Sequence, residues 1–596
     1  MTDLQKGLDC CFEDNGRLIF YPSGKEIYLY EKTAEELNEI CQIIPQCDEV
    51  NLEMEDLSSV KGLKFKDGAI VNLGGAENLP PDLDISNCAE IDLSGRDLSQ
   101  ILPQTLRENS TFIYTSRLQS GFGMNNLHPF GNNIDVSRCS SVTINNIDLS
   151  NASNLKFKDG AEVDLSGCEN IPPHLDVSKC DKIYLSECDL GNLNDLKFKE
   201  NAYISLADCK NVPSNIDISR CSGVYLSGLD LSRIDNLKFA ENSDANLSRC
   251  INIPENLDIT PCKNVNLSGC DLSCVKNLHF KDGATVTISE SKLPENLDFS
   301  NCDEVDLSGC DLSNVKNLKF KDGAKVNLSG CKNIPENLDI SKCQEVNLAK
   351  CDLGNLKNLT FKDGAEINLS KCANIPYNTD FSTCSALNLS GCDLSQVNKI
   401  NFRSNAKVNL QGCKNIPENF DVSICSEVWL TPKQIDNVTI GNAHVVLGGI
   451  NYDKLDFRKL NNFTVSACVS DETLGNSYIS FTGMKEYVFK DKKQYDDFIK
   501  NGEVIPDGVT VSYDKETLKE QIKEDQQKAQ SVMRKKQNTT TQNTSERTSL
   551  KTELKKKPVQ NITIQQNQPV IHHVEPNNSI NIPKPLIIEK IRRQNG

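Results

Sequence analysis

The sequence is poor in the side chains that fill a single large core. Aromatic residues make up 6% of 596 positions, and Trp429 is the one tryptophan. A chain of this length exceeds what one hydrophobic core sustains, so its apolar residues must be organised in another way. Histidine is scarce as well, at six residues, which leaves little equipment for acid–base chemistry near neutrality. No apolar run approaches the roughly 18 residues that a spanning helix needs, so no transmembrane segment is expected. The N-terminal stretch MTDLQKGLDCCFEDNG carries neither the basic nor the apolar region of a secretory leader. The expected location is cytoplasmic, or outside the producing cell by a route that uses no cleaved signal peptide. Ser/His/Asp sets, HExxH helices and Gly-rich phosphate loops are also missing, and catalysis is not expected.

Charge is abundant but unevenly placed. The formal net charge is −18, while residues 515–596 hold 16 Lys/Arg against 8 Asp/Glu, leaving −26 on residues 1–514. An acidic body argues against wrapping nucleic acid, and the basic tail, with Lys555-Lys-Lys and Arg592-Arg593, could contact anionic surfaces. There are 26 cysteines. Zinc would need close pairs with a second pair nearby, and Cys10-Cys11 and Cys270-Asp-Leu-Ser-Cys274 are the nearest approaches. No metal or cofactor is expected. The thiols instead recur at a long fixed spacing, as small apolar groups would on a repeated inner face.

That spacing is the strongest signal in the chain. The segment FKDGA recurs, and from Phe157 to Phe402 its phenylalanines step by 41, 41, 41, 40, 41 and 41 residues. Each such unit has two similar halves, LKFKDGAKVNLSGCKNIPEN over 318–337 and LDISKCQEVNLAKCDLGNLKN over 338–358. The coil is therefore 20 or 21 residues long. Within a coil, Leu318 and Phe320 are followed eight residues later by Val326 and Leu328, two apolar–polar–apolar triplets that each predict a short strand with one buried face. The fold expected is an all-β repeat protein, a parallel β-solenoid or β-helix of about twenty coils stacked ~4.8 Å apart. The two-coil period is explained by alternating charge on the outward residue of the first triplet. Lys156, Asp176, Lys197, Asp217, Lys238 and Asp258 follow one another, then Asp298, Lys319 and Asp339. Alternation would replace like-charge repulsion between stacked coils with pairing worth about 0.2–1 kcal/mol per pair.

The strings VNLSGCDLS (from Val265) and VDLSGCDLSN (from Val305) resemble pentapeptide repeats. That resemblance implies a four-sided right-handed β-helix, and for a DNA-mimicking member it implies action on a topoisomerase. NIPENLDIS and LSGC are similar to leucine-rich repeats, which implies a horseshoe with one strand per repeat. Two triplets in twenty residues favour the β-helix.

The domain plan follows. Residues 1–47 form an N-terminal cap with a short helix opening at the capping box Thr33-Ala-Glu-Glu36. Residues 48–490 are the solenoid, 491–536 a C-terminal cap and helix starting near Asp514, and 537–596 a disordered basic tail. From Phe65 to Phe157 is 92 residues instead of 82, so about ten extra residues sit between 102 and 133. Phe122, Met124, His128 and Phe130 in this insertion are either an apolar loop for a partner or residues of a degenerate coil turned inward. The function expected first is a non-catalytic protein-interaction or scaffold protein, such as a bacterial effector, with a protein partner of unknown identity. The alternatives are a DNA mimic and a β-helix enzyme acting on polysaccharide.

Overall fold

The computed structural model describes residues 44–116 and 130–465 with short breaks, residues 485–513, and the backbone of two short strands near the N-terminus. It is a parallel β-solenoid of about 19 turns with about 21 residues per coil. One sheet gathers 23 strands, most of three residues. Each coil places its strand directly beside the equivalent strand of the next. Val163, Ile183, Ile204, Val224, Ala245 and Val265 are successive partners, in steps that alternate between 20 and 21 residues. The middle residue of each triplet points inward and is buried, and so is the Leu, Ile or Val two positions on, as with Val326 and Leu328. Fully burying one such side chain contributes about 1.5–3 kcal/mol, and stacking supplies that burial without a wide core. Few aromatic residues are needed for this reason.

The first triplet departs from expectation. Leu338, Asp339 and Ile340 alternate buried, exposed, buried, yet they form no strand. Equivalent triplets pair only locally, at Asn296–Phe299 with Lys316–Phe320, at Gln104–Thr105 with Ile134–Asp135, and at Phe420–Asp421 with Val438–Thr439. Most coils therefore own one ladder strand, not two. In alternate coils the inward Leu is followed by Asp-x-Ser, and in the others by Lys-Phe-Lys-Asp-Gly, and in most coils of both kinds no ladder forms. Asp339 Oδ1 accepts hydrogen bonds from the Ser341 amide at 3.0 Å and hydroxyl at 2.7 Å, which turns the chain just after the triplet. Asp176, Asp217 and Asp258 do the same with Ser178, Ser219 and Thr260.

These bonds hold the carboxyls of Asp176, Asp217, Asp298 and Asp339 below the usual carboxylate range, first through the side-chain bond to the following Ser. A depressed folded pKa adds stability that is present above the unfolded value near 3.9 and is lost as pH falls through the folded values. The melting temperature should stay level from pH 7 to about 5 and drop steeply below about 4. Thermal melts followed by circular dichroism check this, and a flat profile down to pH 3 would refute it.

Corners are set by left-handed residues. Gly160, Gly283, Gly323 and Gly364 have positive φ, and Asn201, Asn242 and Asn405 take the same place in other copies. A second corner precedes the cysteine of each strand's turn. There Gly309 and Gly330 are followed by Lys350 (φ 64°) and Lys371 (φ 57°), then Gly391 and Gly412. A side chain in this region costs roughly 1–2 kcal/mol, against 0.5–1 for the extra backbone entropy of Gly. Lys350→Gly is thus expected to raise unfolding free energy by about 0.5–1 kcal/mol in urea titrations.

The buried cysteines have a role beyond filling space. Cys310, Cys331, Cys351 and Cys372 each donate a thiol hydrogen bond to a leucine or isoleucine carbonyl of the preceding coil, at 3.0, 3.0, 3.0 and 2.9 Å. Ser291, in register with them, donates its hydroxyl to Leu267 O at 2.9 Å. Burial pushes the Cys168 and Cys209 thiols up to about 12, so they remain protonated donors at neutral pH. The other thiol column, including Cys343 and Cys384, is also buried and protonated by the same cause.

At the C-terminal end, parallel pairing continues past residue 490. Lys454–Asp456, Glu486–Phe489 and Thr510–Tyr513 form a small parallel sheet. Between the last two strands lies a helix, Lys492–Lys500, capped by Asp491, whose side chain accepts the Gln494 amide at 2.8 Å. Its Phe498 stacks among Phe457, Phe463 and Phe489, and Gln494 Nε2 donates to the Phe457 and Leu460 carbonyls. The helix covers the end of this part of the core. The helices expected after Thr33 and after Asp514, and the tail, lie outside the described residues. No described helix is long and apolar enough to cross a membrane.

Candidate functional site: the strand face

Only the outward residues of the ladder can carry a regular surface chemistry, because they repeat at one spacing along one face. Each strand presents two of them. From Glu304 to Trp429 the first column reads Glu304, Lys325, Glu345, Glu366, Ala386, Lys407, Glu427, and the second Asp306, Asn327, Asn347, Asn368, Asn388, Asn409, Trp429. These seven strands line a groove of about 710 Å³. The groove follows the stacking direction, so a long ligand would lie across the strands.

The second column is built by the turn after each strand. Asn327, Asn347, Asn368, Asn388 and Asn409 each accept, through Oδ1, the backbone amide two residues ahead at 3.0–3.1 Å. Oδ1 is thereby committed, which turns Nδ2, the donor end, away from the turn. At Asn409 this has a marked consequence. The residue is 5% exposed, and its Nδ2 has no hydrogen-bond partner. Beside it, Trp429 donates its indole N–H to Glu427 at 2.8 Å, which fixes the ring at the end of the groove.

The same face changes character nearer the N-terminus. Tyr184, Tyr203 and Tyr225 stand on three successive strands, with ring centroids 5.7 and 4.7 Å apart. Gly223 makes room for this stack, because a Cβ there would meet the Tyr203 ring at 2.5 Å. Burial and the neighbouring Tyr225 raise the Tyr203 hydroxyl far above the ordinary phenol range.

The residues singled out from sequence are placed differently. Phe130 is buried, with its ring 5.9 Å from Phe112 and 5.6 Å from Tyr114, so it serves the core instead of a partner. Phe122, Met124 and His128 lie outside the described residues. The alternating column Lys156, Asp176, Lys197, Asp217, Lys238, Asp258, Asp298, Lys319 and Asp339 stacks in that order, and Asp298 faces Lys319 in the local strand pair. No direct ion pair joins its members among the described residues. Each Asp is held by its own turn, and Lys197 pairs with Asp195 at 2.5 Å. The ion pairs with a two-coil period lie at the adjacent FKDG corner. There Lys199 meets Asp181 at 2.7 Å and Asp159 at 3.1 Å, and Lys321 meets Asp303 at 2.8 Å and Asp282 at 3.0 Å. Lys362 reaches Asp322, and Arg403 reaches Asp363, in the same way. Each pair is exposed and worth at most about 1 kcal/mol, but together they favour one stacking order.

Among the described residues, no group of three or more His, Cys, Asp or Glu could hold a metal ion. No family model, curated protein or solved structure matches this chain.

Proposed function

We propose that the chain is a non-catalytic interaction or scaffold protein, and that the strand face is its binding surface. The observation that carries this reading is the groove between Glu304 and Trp429, a seven-strand surface whose buried Asn409 donor is unfilled. A rigid repeated face offers extended contact area without chemistry at any one point. The carboxylates that an enzyme would need are largely engaged in turns or ion pairs. Those same pairs interrupt the continuous anionic stripe that a DNA mimic would need.

Of the two repeat types, a leucine-rich one accords better with one strand per coil. Cys180, Ile183, Leu185, Cys188 and Leu190 follow the spacing L-x-x-L-x-L-x-x-N/C-x-L, with thiol donors where that pattern has Asn or Cys.

Affinity capture with the full chain tests the binding surface. A protein recovered by the wild type and by the distant surface variant Lys342→Ala should be lost from Trp429→Ala/Asn347→Ala. Partners that survive strand-face substitution would overturn the reading.

A further inference from the structure

We infer that the groove from Glu304 to Trp429 takes an extended segment of a partner polypeptide bearing Lys or Arg four residues apart. This rests on the strand face being the binding surface and adds the chemistry of its occupant.

Charge is the first ground. The groove is lined by five carboxylates, on Glu304, Asp306, Glu345, Glu366 and Glu427, and by two ammonium groups, on Lys325 and Lys407. Lys325 and Glu345 neutralise each other at 2.6 Å, and Glu427 is tied to the Trp429 indole. Glu304 and Glu366 are exposed and have no ion-pair partner among the described residues. They stand three coils apart, about 14 Å at ~4.8 Å per strand. In an extended peptide, residues i and i+4 point the same way and lie about 13–14 Å apart. Two basic side chains at that spacing meet both carboxylates in one pose.

The second ground is independent of charge. Asn409 Nδ2 is a buried donor without an acceptor, a state that costs about 1–3 kcal/mol until it is filled. Peptide backbone supplies a carbonyl acceptor at every residue, so an extended segment passing over Asn409 can satisfy it once the side chains that cover Nδ2 move aside. Trp429, directly in register with Asn409, offers its ring to the aliphatic stem or the cation of a basic side chain. Six strand spacings give a groove of about 29 Å, room for about nine extended residues. A neutral oligosaccharide could use the indole and the amides, but it would leave the excess carboxylates unanswered.

The test uses the full chain and a fluorescein-labelled, N-acetylated peptide, Lys-Ser-Ser-Ser-Lys-Ser-Ser-Ser-Lys, followed by fluorescence anisotropy. Saturable binding is expected, weakened by added salt and weakened at least tenfold by Glu304→Lys/Glu366→Lys. Both positions are solvent-facing, and unchanged thermal melts would show that the variant is folded. The inference is overturned by any of four results: no saturable binding, equal binding of a peptide with Glu for Lys, unaltered affinity in the folded variant, or preferential binding of a neutral cello-oligosaccharide. Self-association abolished by the same two substitutions would also overturn it, by assigning the groove to a second copy. If captured partners depend on Trp429 while the basic peptide fails, the cationic assignment falls and the strand-face reading stands. If captured partners ignore the strand face altogether, that reading falls.

Discussion

Leu328→Ala should destabilise the protein by about 2–5 kcal/mol, the range for removing a fully buried leucine where neighbours cannot collapse into the space. Leu328 is completely buried. Its amide donates to Asn347 O at 2.7 Å, and its carbonyl accepts the Cys351 thiol at 3.0 Å. Backbone atoms on both sides are thus fixed to the next coil, which prevents the relaxation that would soften the loss. In a stacked array, each coil leans only on its neighbours, so the damage falls on interfaces and not on a global core. Urea unfolding should show an earlier transition and, where the two halves uncouple, a second step. Lys325→Ala, three residues away on the outer face, should shift stability by no more than about 1 kcal/mol, because its pair with Glu345 is exposed. Equal effects at the two positions would contradict the inward–outward assignment.

The two cysteine columns should respond to substitution with opposite preferences. Cys331 donates to Leu307 O at 3.0 Å, whereas Cys343 is buried with no side-chain hydrogen bond. At 331, serine keeps a donor, as Ser291 does at the equivalent place, and should be better tolerated than alanine by about 0.5–1.5 kcal/mol. At 343, a serine hydroxyl would be buried without an acceptor, so alanine should be better by about 1–3 kcal/mol. Guanidinium titrations of the four single variants measure both differences. The same order at both sites would mean that the thiol–carbonyl bonds contribute nothing.

Much of this architecture is written in the sequence, because a stacked coil must repeat its inward residues. The 20- and 21-residue steps, Val326 and Leu328 inside, and the cysteines inside were all legible from spacing. Other features were not. Asp339 between Leu338 and Ile340 has the alternation of a strand, but no neighbouring coil pairs with it. Periodicity cannot distinguish these outcomes. The two-coil charge period was visible, yet its ion pairs lie at the FKDG corner, where Lys321 reaches back to Asp282 and Asp303. The helix Lys492–Lys500 does not follow from the 20- and 21-residue spacing, although Asp491 and Gln494 form an N-cap pair. The groove was the least legible. A column of Asn looks like an inert side-chain ladder until the turns that occupy each Oδ1 are known. Serine 291, standing where cysteine is usual, could have disclosed the donor role of the thiols.

One ladder strand per coil is the claim on which the strand face, its groove and the turn chemistry all depend. Residue-resolved amide hydrogen exchange on the full chain tests it directly. Protection should be strong at Val326, Val346 and Ile367, in the ladder, and much weaker at Asp339 and Ile340 and at Asp380 and Phe381, in the inward triplets that form no strand. Equal protection of both triplets through the central coils would contradict it, and would restore a coil with two paired faces.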